Sequence, residues 1–312
     1  MSDTCSSSCG GKAGCGSADA KVARQDTSIK RSLGKIRNKI LVMSGKGGVG
    51  KSTISTNLAL GLAQRGYKVG LMDVDLHGPD ICRMLDLNMT IGDIEKENDL
   101  VPPMPYGDNL KVISLEYMME NRDDPIIWRG PLKIQAIRQF LSDIDWGELD
   151  YLIIDAPPGT GDEPLTVAST IKDAVALVVT TPQEIALADV RKSLNFCKHV
   201  KMEVLGLVEN MSGLVCPHCS ETIDIFKSGG GSRTAAEFSV KFLGGIPVDP
   251  KVTIGGDAGR PYLVSDSDSP AVRAFSALID SVEEAMRGRV SLNTVADACG
   301  CGGNCNPDTC DC

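Results

Sequence analysis

Gly45-Lys46-Gly47-Gly48-Val49-Gly50-Lys51-Ser52 constrains the fold of this chain more than any other stretch. An apolar run, Ile40–Met43, precedes it and a helix-like segment, Thr53 to Arg65, follows. A strand, a glycine-rich loop and a helix in that order make a phosphate cradle. The glycine backbones turn their N–H groups inward at a helix N-terminus, where the dipole favours negative charge. In such a cradle Lys51 reaches the β- and γ-phosphates and the Ser52 hydroxyl sits on Mg²⁺. Gly45, Gly47, Gly48, Val49, Gly50 and Thr53 complete the candidate nucleotide contacts. Lys46 places a second charge at the loop entrance, able to point away from its own nucleotide. The plain alternative is a glycine turn with two surface lysines, and the strand–loop–helix context argues against it. The sequence predicts a nucleotide-binding protein.

Downstream, apolar runs alternate with helical patterns. Ile40–Met43, Val69–Met72, Lys111–Leu115, Tyr151–Ile154, Ala174–Thr180 and Val204–Val208 read as strands, with a weaker one at Phe242–Ile246. Ser52–Arg65, Pro131–Ile144, Pro164–Ile171, Leu187–Val200, Arg233–Phe238 and Pro270–Met286 read as helices. Alternation of this kind predicts an α/β fold, a doubly wound and mostly parallel sheet covered on both faces. Scarce aromatics and abundant Gly, Val, Ile, Leu and Ala suit such a sheet. Ligands in these sheets bind at the carboxyl ends of the strands. The stretch from Gly92 to Asn109, rich in acids and proline, reads as a surface excursion. We expect three regions: a Cys-rich tail and basic amphipathic segment over 1–37, an ATPase domain over 38–288, and a Cys-rich tail over 289–312. Residues 1–20 carry too little apolar content to fold without a ligand. Within Lys21 to Lys39, Ile29, Leu33 and Ile36 recur at helical spacing. That helix can dock its apolar stripe on the domain or lie on an anionic surface; docking is the simpler use of the stripe.

The net charge of −9 argues against nucleic-acid binding as the main activity. No apolar run is long enough to span a bilayer, and the N-terminus has no signal-peptide pattern. We therefore expect a cytoplasmic protein with no membrane partner, in which cysteines signal metal or redox chemistry rather than disulfides.

Two further segments have the composition that phosphate chemistry needs. Asp73-Val74-Asp75-Leu76-His77-Gly78-Pro79-Asp80 and Asp155-Ala156-Pro157-Pro158-Gly159-Thr160-Gly161-Asp162 each follow a strand. An acid at a strand end can orient an attacking water or hold a metal-bound one, and a Pro-Pro-Gly turn can report the γ-phosphate as switch loops do. Together with Lys46 and Lys51, these segments resemble the deviant-Walker P-loop class, which includes the ATPases MinD and ParA and the nitrogenase iron protein. The resemblance implies a domain that pairs face to face on ATP, with Lys46 reaching the partner's nucleotide. Lys46, Lys51 and Asp75 are then the expected catalytic residues, Asp75 helping to activate water. Asp155 matches the acid that reaches Mg²⁺ through water. The resemblance also places adenine contacts at Asn210 and at the loop Ile246-Pro247-Val248-Asp249-Pro250, hence Pro247 and Asp249.

Of the 12 cysteines, Cys82 and Cys197 stand alone and read as buried, inert thiols. Cys216-Pro217-His218-Cys219 is a pair with metal-ligand spacing. One pair cannot fill four positions, but two copies related by a two-fold axis supply four thiolates, enough for a [4Fe–4S] cluster or one Zn²⁺. His218 reads as a bystander, and a redox-active pair is a further reading that the position late in the domain disfavours. With this pair, Asn210-Met211-Ser212 and Gly229-Gly230-Gly231, the chain resembles the Mrp/ApbC iron–sulfur carrier ATPases and their eukaryotic cytosolic scaffold relatives. That resemblance implies a homodimer bridging a [4Fe–4S] cluster through Cys216 and Cys219 and delivering it to apo iron–sulfur proteins in an ATP-linked cycle. The tails depart from it. Cys5, Cys9 and Cys15 are one short of a four-cysteine motif, and Cys299, Cys301, Cys305, Cys310 and Cys312 follow no common cluster spacing. Zinc binding at Cys216/Cys219 and a positioning ATPase remain the rival readings.

Overall fold

The computed structural model describes residues 15–75, 78–87, 100–114, 116, 130–216, 218–261 and 269–299, with side-chain surroundings from residue 23 to residue 289 within them. Strands β1 (Ile36–Ser44), β2 (Val69–Asp73), β4 (Leu110–Ser114), β5 (Leu149–Asp155), β6 (Val175–Thr180) and β7 (Val204–Val215) form the centre of one sheet. Its order is β3-β4-β2-β5-β1-β6-β7-β8, with β9 (Phe242–Val248) also on β7. The central pairings are parallel; β3 (Met104–Tyr106) and β8 (Thr222–Ile223) add on antiparallel.

Strands buried on both faces read as unbroken apolar runs, which is why β1, β5 and β6 were legible. Successive side chains of β1 serve opposite cores. Leu41 and Met43 join the layer holding α4 (Gly130–Asp143), α5 (Asp162–Thr170) and α6 (Glu184–His199). Ile40 and Val42 pack with α2 (Lys51–Gln64) and α9 (Pro270–Cys299). The doubly wound α/β architecture is therefore as expected.

The structure corrects several boundaries. Helix α1 runs Cys15–Leu33, so the amphipathic segment starts inside the stretch expected not to fold. Ile36 does not continue its stripe; it opens β1, where pairing with Leu149 outweighs the helical period. Ile29 and Leu33 dock into the core beside α4, and burying each contributes about 1.5–3 kcal/mol. The acidic excursion contains β3, because Met104 pairs with Val112 across the sheet edge. Helix α9 passes Met286 and runs to Cys299, into the segment assigned to the C-terminal tail. Cys5, Cys9, Cys301, Cys305, Cys310 and Cys312 lie outside the described residues. Three short elements were not anticipated: α3 (Ile81–Met84), β8 and α8 (Pro250–Asp257), the last with no buried residue. Among the described residues no helix is long and apolar enough to cross a membrane.

Candidate functional site

The register of the sheet assembles the site. Ser114, Asp73 and Asp155 are successive partners across β4, β2 and β5, and Asp155 also faces Val42 of β1. Two carboxylates thus sit side by side at the carboxyl edge, directly below the loop that leaves β1. Main-chain bonds hold the following segments in place: Val74 N–H to the Asp155 carbonyl, Ala156 N–H to Val42, and Gly159 N–H to Ser44 at 2.8 Å. A cleft of 490 Å³ opens there, lined by the loop residues Lys46 to Thr53 with Asp75, Asp80, Met84, Pro158 and Met211.

Gly50 caps α2 in the left-handed region (φ 79°), turning the loop into the helix N-terminus. Gly45 is required for another reason: a Cβ there would lie 2.3 Å from the backbone of Asp189 on α6. Lys51, 6% exposed, donates to Asp155 Oδ2 at 2.6 Å and lies 3.9 Å from Asp75. Asp155, fully buried, also accepts from the Ser52 and Ser55 hydroxyls at 2.7 and 2.6 Å. Asp73 accepts from Asp75 N–H and from Ser114 Oγ. Burial, with the neighbouring Asp155 charge adding to it, pushes the Asp73 carboxyl well above the usual carboxylate range, against the pull of Lys51. Burial also raises Asp80. Lys46 is half-buried at the cleft, and among the described residues no ion pair or hydrogen bond engages its ammonium. The oxygens of half-buried Ser52 and fully buried Asp155 are adjacent and are the hard donors that suit Mg²⁺.

The structure brings Asn210 to this loop in an unexpected role. Its amide donates to the Val49 carbonyl at 2.9 Å, and a Cβ on Gly50 would lie 2.2 Å from the same Nδ2. Asn210 is thus a brace for the loop. Pro247 and Asp249 do not line the cleft; Pro247 is in β9, and the Asp249 carboxylate caps α8 by accepting from Lys251 N–H.

Cys216 and Cys219 lie in the turn of the β7–β8 hairpin, closed by Cys216 N–H to Glu221 and Ser220 N–H to Cys216. Ser220 takes φ 60° to make that turn. The backbone N–H of Cys219, then that of His218, then the Cys219 thiol point at the Cys216 sulfur and hold its pKa below the usual thiol value. Such a sulfur is prepared to bind metal as thiolate. His218 contributes its main-chain N–H here. Among the described residues no group of three or more His, Cys, Asp or Glu could hold a metal, and this hairpin turn presents two thiols. Cys82 and Cys197 are fully buried, and burial pushes the Cys197 thiol up to about 12, as expected of inert positions.

Sequence reasoning missed Glu209. This 1%-exposed carboxylate accepts from Ser212 Oγ, Gly229 N–H and Gly231 N–H. The only signal was an acid directly after the apolar run Val204–Val208. A larger cleft of 770 Å³ lies between α1 and α4, and the phosphate loop contributes nothing to it.

Residues 35–283 match the family model described as NUBPL iron-transfer P-loop NTPase. The chain is 43% identical to an iron–sulfur cluster carrier protein of Methanocaldococcus jannaschii, over 92% of this chain and 97% of that one. It is 46% identical to a cytosolic Fe–S cluster assembly factor of Kluyveromyces lactis, over 85% of this chain and 96% of that one. A nucleotide-binding protein of Archaeoglobus fulgidus, solved with ADP, superposes with a TM-score of 0.68 at 38% identity, covering 80% of this chain and 96% of that one. The septum site-determining protein MinD of Pyrococcus horikoshii superposes at 0.57 with 24% identity, over 79% and 96% of the two chains, which shows the shared fold.

Proposed function

The chain belongs to the NUBPL iron-transfer P-loop NTPase family, and on that premise we propose that it is an ATP-hydrolysing carrier of iron–sulfur clusters. The cargo is a [4Fe–4S] cluster held between two copies of the chain by Cys216 and Cys219 of each and passed to apo iron–sulfur proteins. The observation that carries this reading is the β7–β8 hairpin turn that holds Cys216 and Cys219 together, closed by Cys216 N–H to Glu221 and Ser220 N–H to Cys216, in a chain that also bears a complete phosphate loop. Four thiolates complete such a cluster, and a two-fold pairing of the hairpins supplies them. The relatives, an iron–sulfur cluster carrier protein and a cytosolic Fe–S cluster assembly factor, support an iron–sulfur cargo.

The nucleotide roles follow from the cleft. The loop amides of residues 45–52 and the Lys51 ammonium bind the phosphates, Asn210 keeps the loop in shape, and Asp75 orients the attacking water. Ser52 and Asp155 would hold Mg²⁺, which neutralises phosphate charge. Lys46, whose ammonium has no partner among the described residues, reaches the nucleotide of the second copy. Pro247 and Asp249, outside the phosphate cleft itself, border the adenine base. Residues 38–288 act as the ATPase unit, flanked by the two cysteine-bearing segments. Hydrolysis relaxes the loops after Asp75 and Asp155, and with them the grip on the cluster.

Anaerobic purification followed by iron, sulfide and zinc analysis tests the cargo. The expected result is about four iron and four sulfide per dimer, lost in Cys216→Ser/Cys219→Ser while the tail cysteines stay intact. Zinc in place of iron, or iron retained in the double variant, overturns the reading.

A further inference from the structure

Two adjacent residues of β7 grip opposite sides of the molecule. Asn210 faces α2 and braces the Val49 carbonyl of the phosphate loop. Glu209 faces α7 (Gly230–Phe238) and accepts from three donors: Ser212 Oγ at 2.6 Å, Gly229 N–H at 3.1 Å and Gly231 N–H at 2.5 Å. Alternation along a strand places neighbours on opposite faces, so this division follows from the strand itself.

The identity of the three donors matters. Ser212 stands where the chain sets out toward the cysteine hairpin, and Gly229 and Gly231 stand where it returns. One buried carboxylate therefore closes the neck of the whole segment that carries Cys216 and Cys219. The return side is built for it. Gly229 caps α7 with φ 72°, which turns the free N–H groups of the first helical turn toward Glu209. Gly231 has no side chain to obstruct the approach; a Cβ there would lie 3.0 Å from the Glu209 Cβ and 3.1 Å from its Oε2.

Between the two grips and the hairpin the ladder is broken. Pairing of β7 with β9 shifts register between Asn210 and Leu214, and Met211 and Gly213 take φ 57° and 76°. A strand interrupted in this way can change its course without unzipping the sheet.

We infer that Glu209 is a positioning residue that couples the Cys216/Cys219 hairpin to the phosphate loop, through the peptide it shares with Asn210. Phosphates filling the loop draw on the amides around Val49 and Gly50, and Asn210 passes the adjustment to β7. Glu209 converts it into a change at the neck of the hairpin segment. The inference rests on the carrier reading for its purpose, but not for its test.

The test uses metal-free, reduced protein and follows the iodoacetamide alkylation rate of Cys216 and Cys219 by peptide mass, without nucleotide and saturated with Mg–ADP or a non-hydrolysable ATP analogue. In wild type the nucleotide is expected to change the rate about fivefold or more. In Glu209→Gln an amide NH₂ replaces one accepting oxygen and faces a donor. The ratio is expected to fall to one, while a fluorescent nucleotide analogue still saturates the protein. A purely structural role for Glu209 would lower the unfolding midpoint and leave the ratio unchanged. Should Glu209→Gln fail to fold, Ser212→Ala, which removes one donor of the three, decides: a reduced ratio supports the coupling and an unchanged one overturns it. A wild-type rate indifferent to nucleotide also overturns it, with the carrier reading untouched. Conversely, an iron analysis that sank the carrier reading would leave this result standing.

Discussion

The Lys51–Asp155 contact makes a quantitative prediction. Lys51 is 6% exposed and Asp155 fully buried, and they meet at 2.6 Å with Asp75 the next carboxylate at 3.9 Å. Breaking a buried pair from one side costs about 3–5 kcal/mol, because the remaining charge is stranded. Two features place Asp155→Asn near the lower end. Asparagine keeps an acceptor for Lys51 or one of the two serines, and Asp73, freed from the Asp155 charge that raises its pKa, ionises more readily near Lys51. We expect a loss of about 3 kcal/mol, and about the same for Lys51→Met, which strands Asp155 among hydroxyls. With a urea slope of about 3 kcal/mol per M for a domain of this size, each moves the midpoint down by about 1 M. The double variant leaves two neutral groups facing each other, so its loss should be little more than either single one, a coupling of about 2 kcal/mol. Urea titrations of the four proteins, followed by circular dichroism without nucleotide, measure the cycle. Additivity within about 0.5 kcal/mol would falsify the claim that these two charges stabilise each other.

The raised Asp73 pKa predicts a pH dependence. The folded state holds its proton more tightly than the unfolded state, so the group begins to lower stability as pH rises above its unfolded pKa, about 3.9. Asp73→Asn can still accept from Asp75 N–H and donate to Ser114 Oγ. Its melting temperature should therefore match wild type near that pH and exceed it increasingly toward neutrality; a difference that shrinks with pH refutes the assignment. Lys46→Gln should change stability by less than about 0.5 kcal/mol, since its ammonium has no partner among the described residues. It should nonetheless slow ATP hydrolysis by about 10³-fold, the scale of a charge supplied to a transition state from a second subunit. Full hydrolysis in Lys46→Gln argues against contact across a dimer.

Much of this protein was legible without coordinates because the informative signals are local. A phosphate loop is a single turn between one strand and one helix, and Gly45 to Ser52 carry its backbone requirements in consecutive residues. Strands buried on both faces announce themselves as apolar runs, and a C-x-x-C spacing fixes two sulfurs on one turn. Where two periods competed at a boundary, local reading failed. Ile36 fits the helical stripe of Ile29 and Leu33, yet its neighbour in space is Leu149, and the sheet claims it.

What depended on strand order and register only the tertiary structure decided. Asp73 and Asp155 are far apart in sequence and become neighbours because β2 lies against β5 in a set register; that contact raises one acid and shares Lys51 with the other. Asn210, expected at the base, also braces the Val49 carbonyl, a role set by β7 passing beside the loop. Glu209 gave no motif at all, since its partners Gly229 and Gly231 come from the far side of the hairpin segment. Sequence sets which groups a turn can present, since a turn spans only a few covalently linked residues. Which groups then share a proton, a cation or a hydrogen bond is settled when strands distant in the chain are brought together, as β2 and β5 are here.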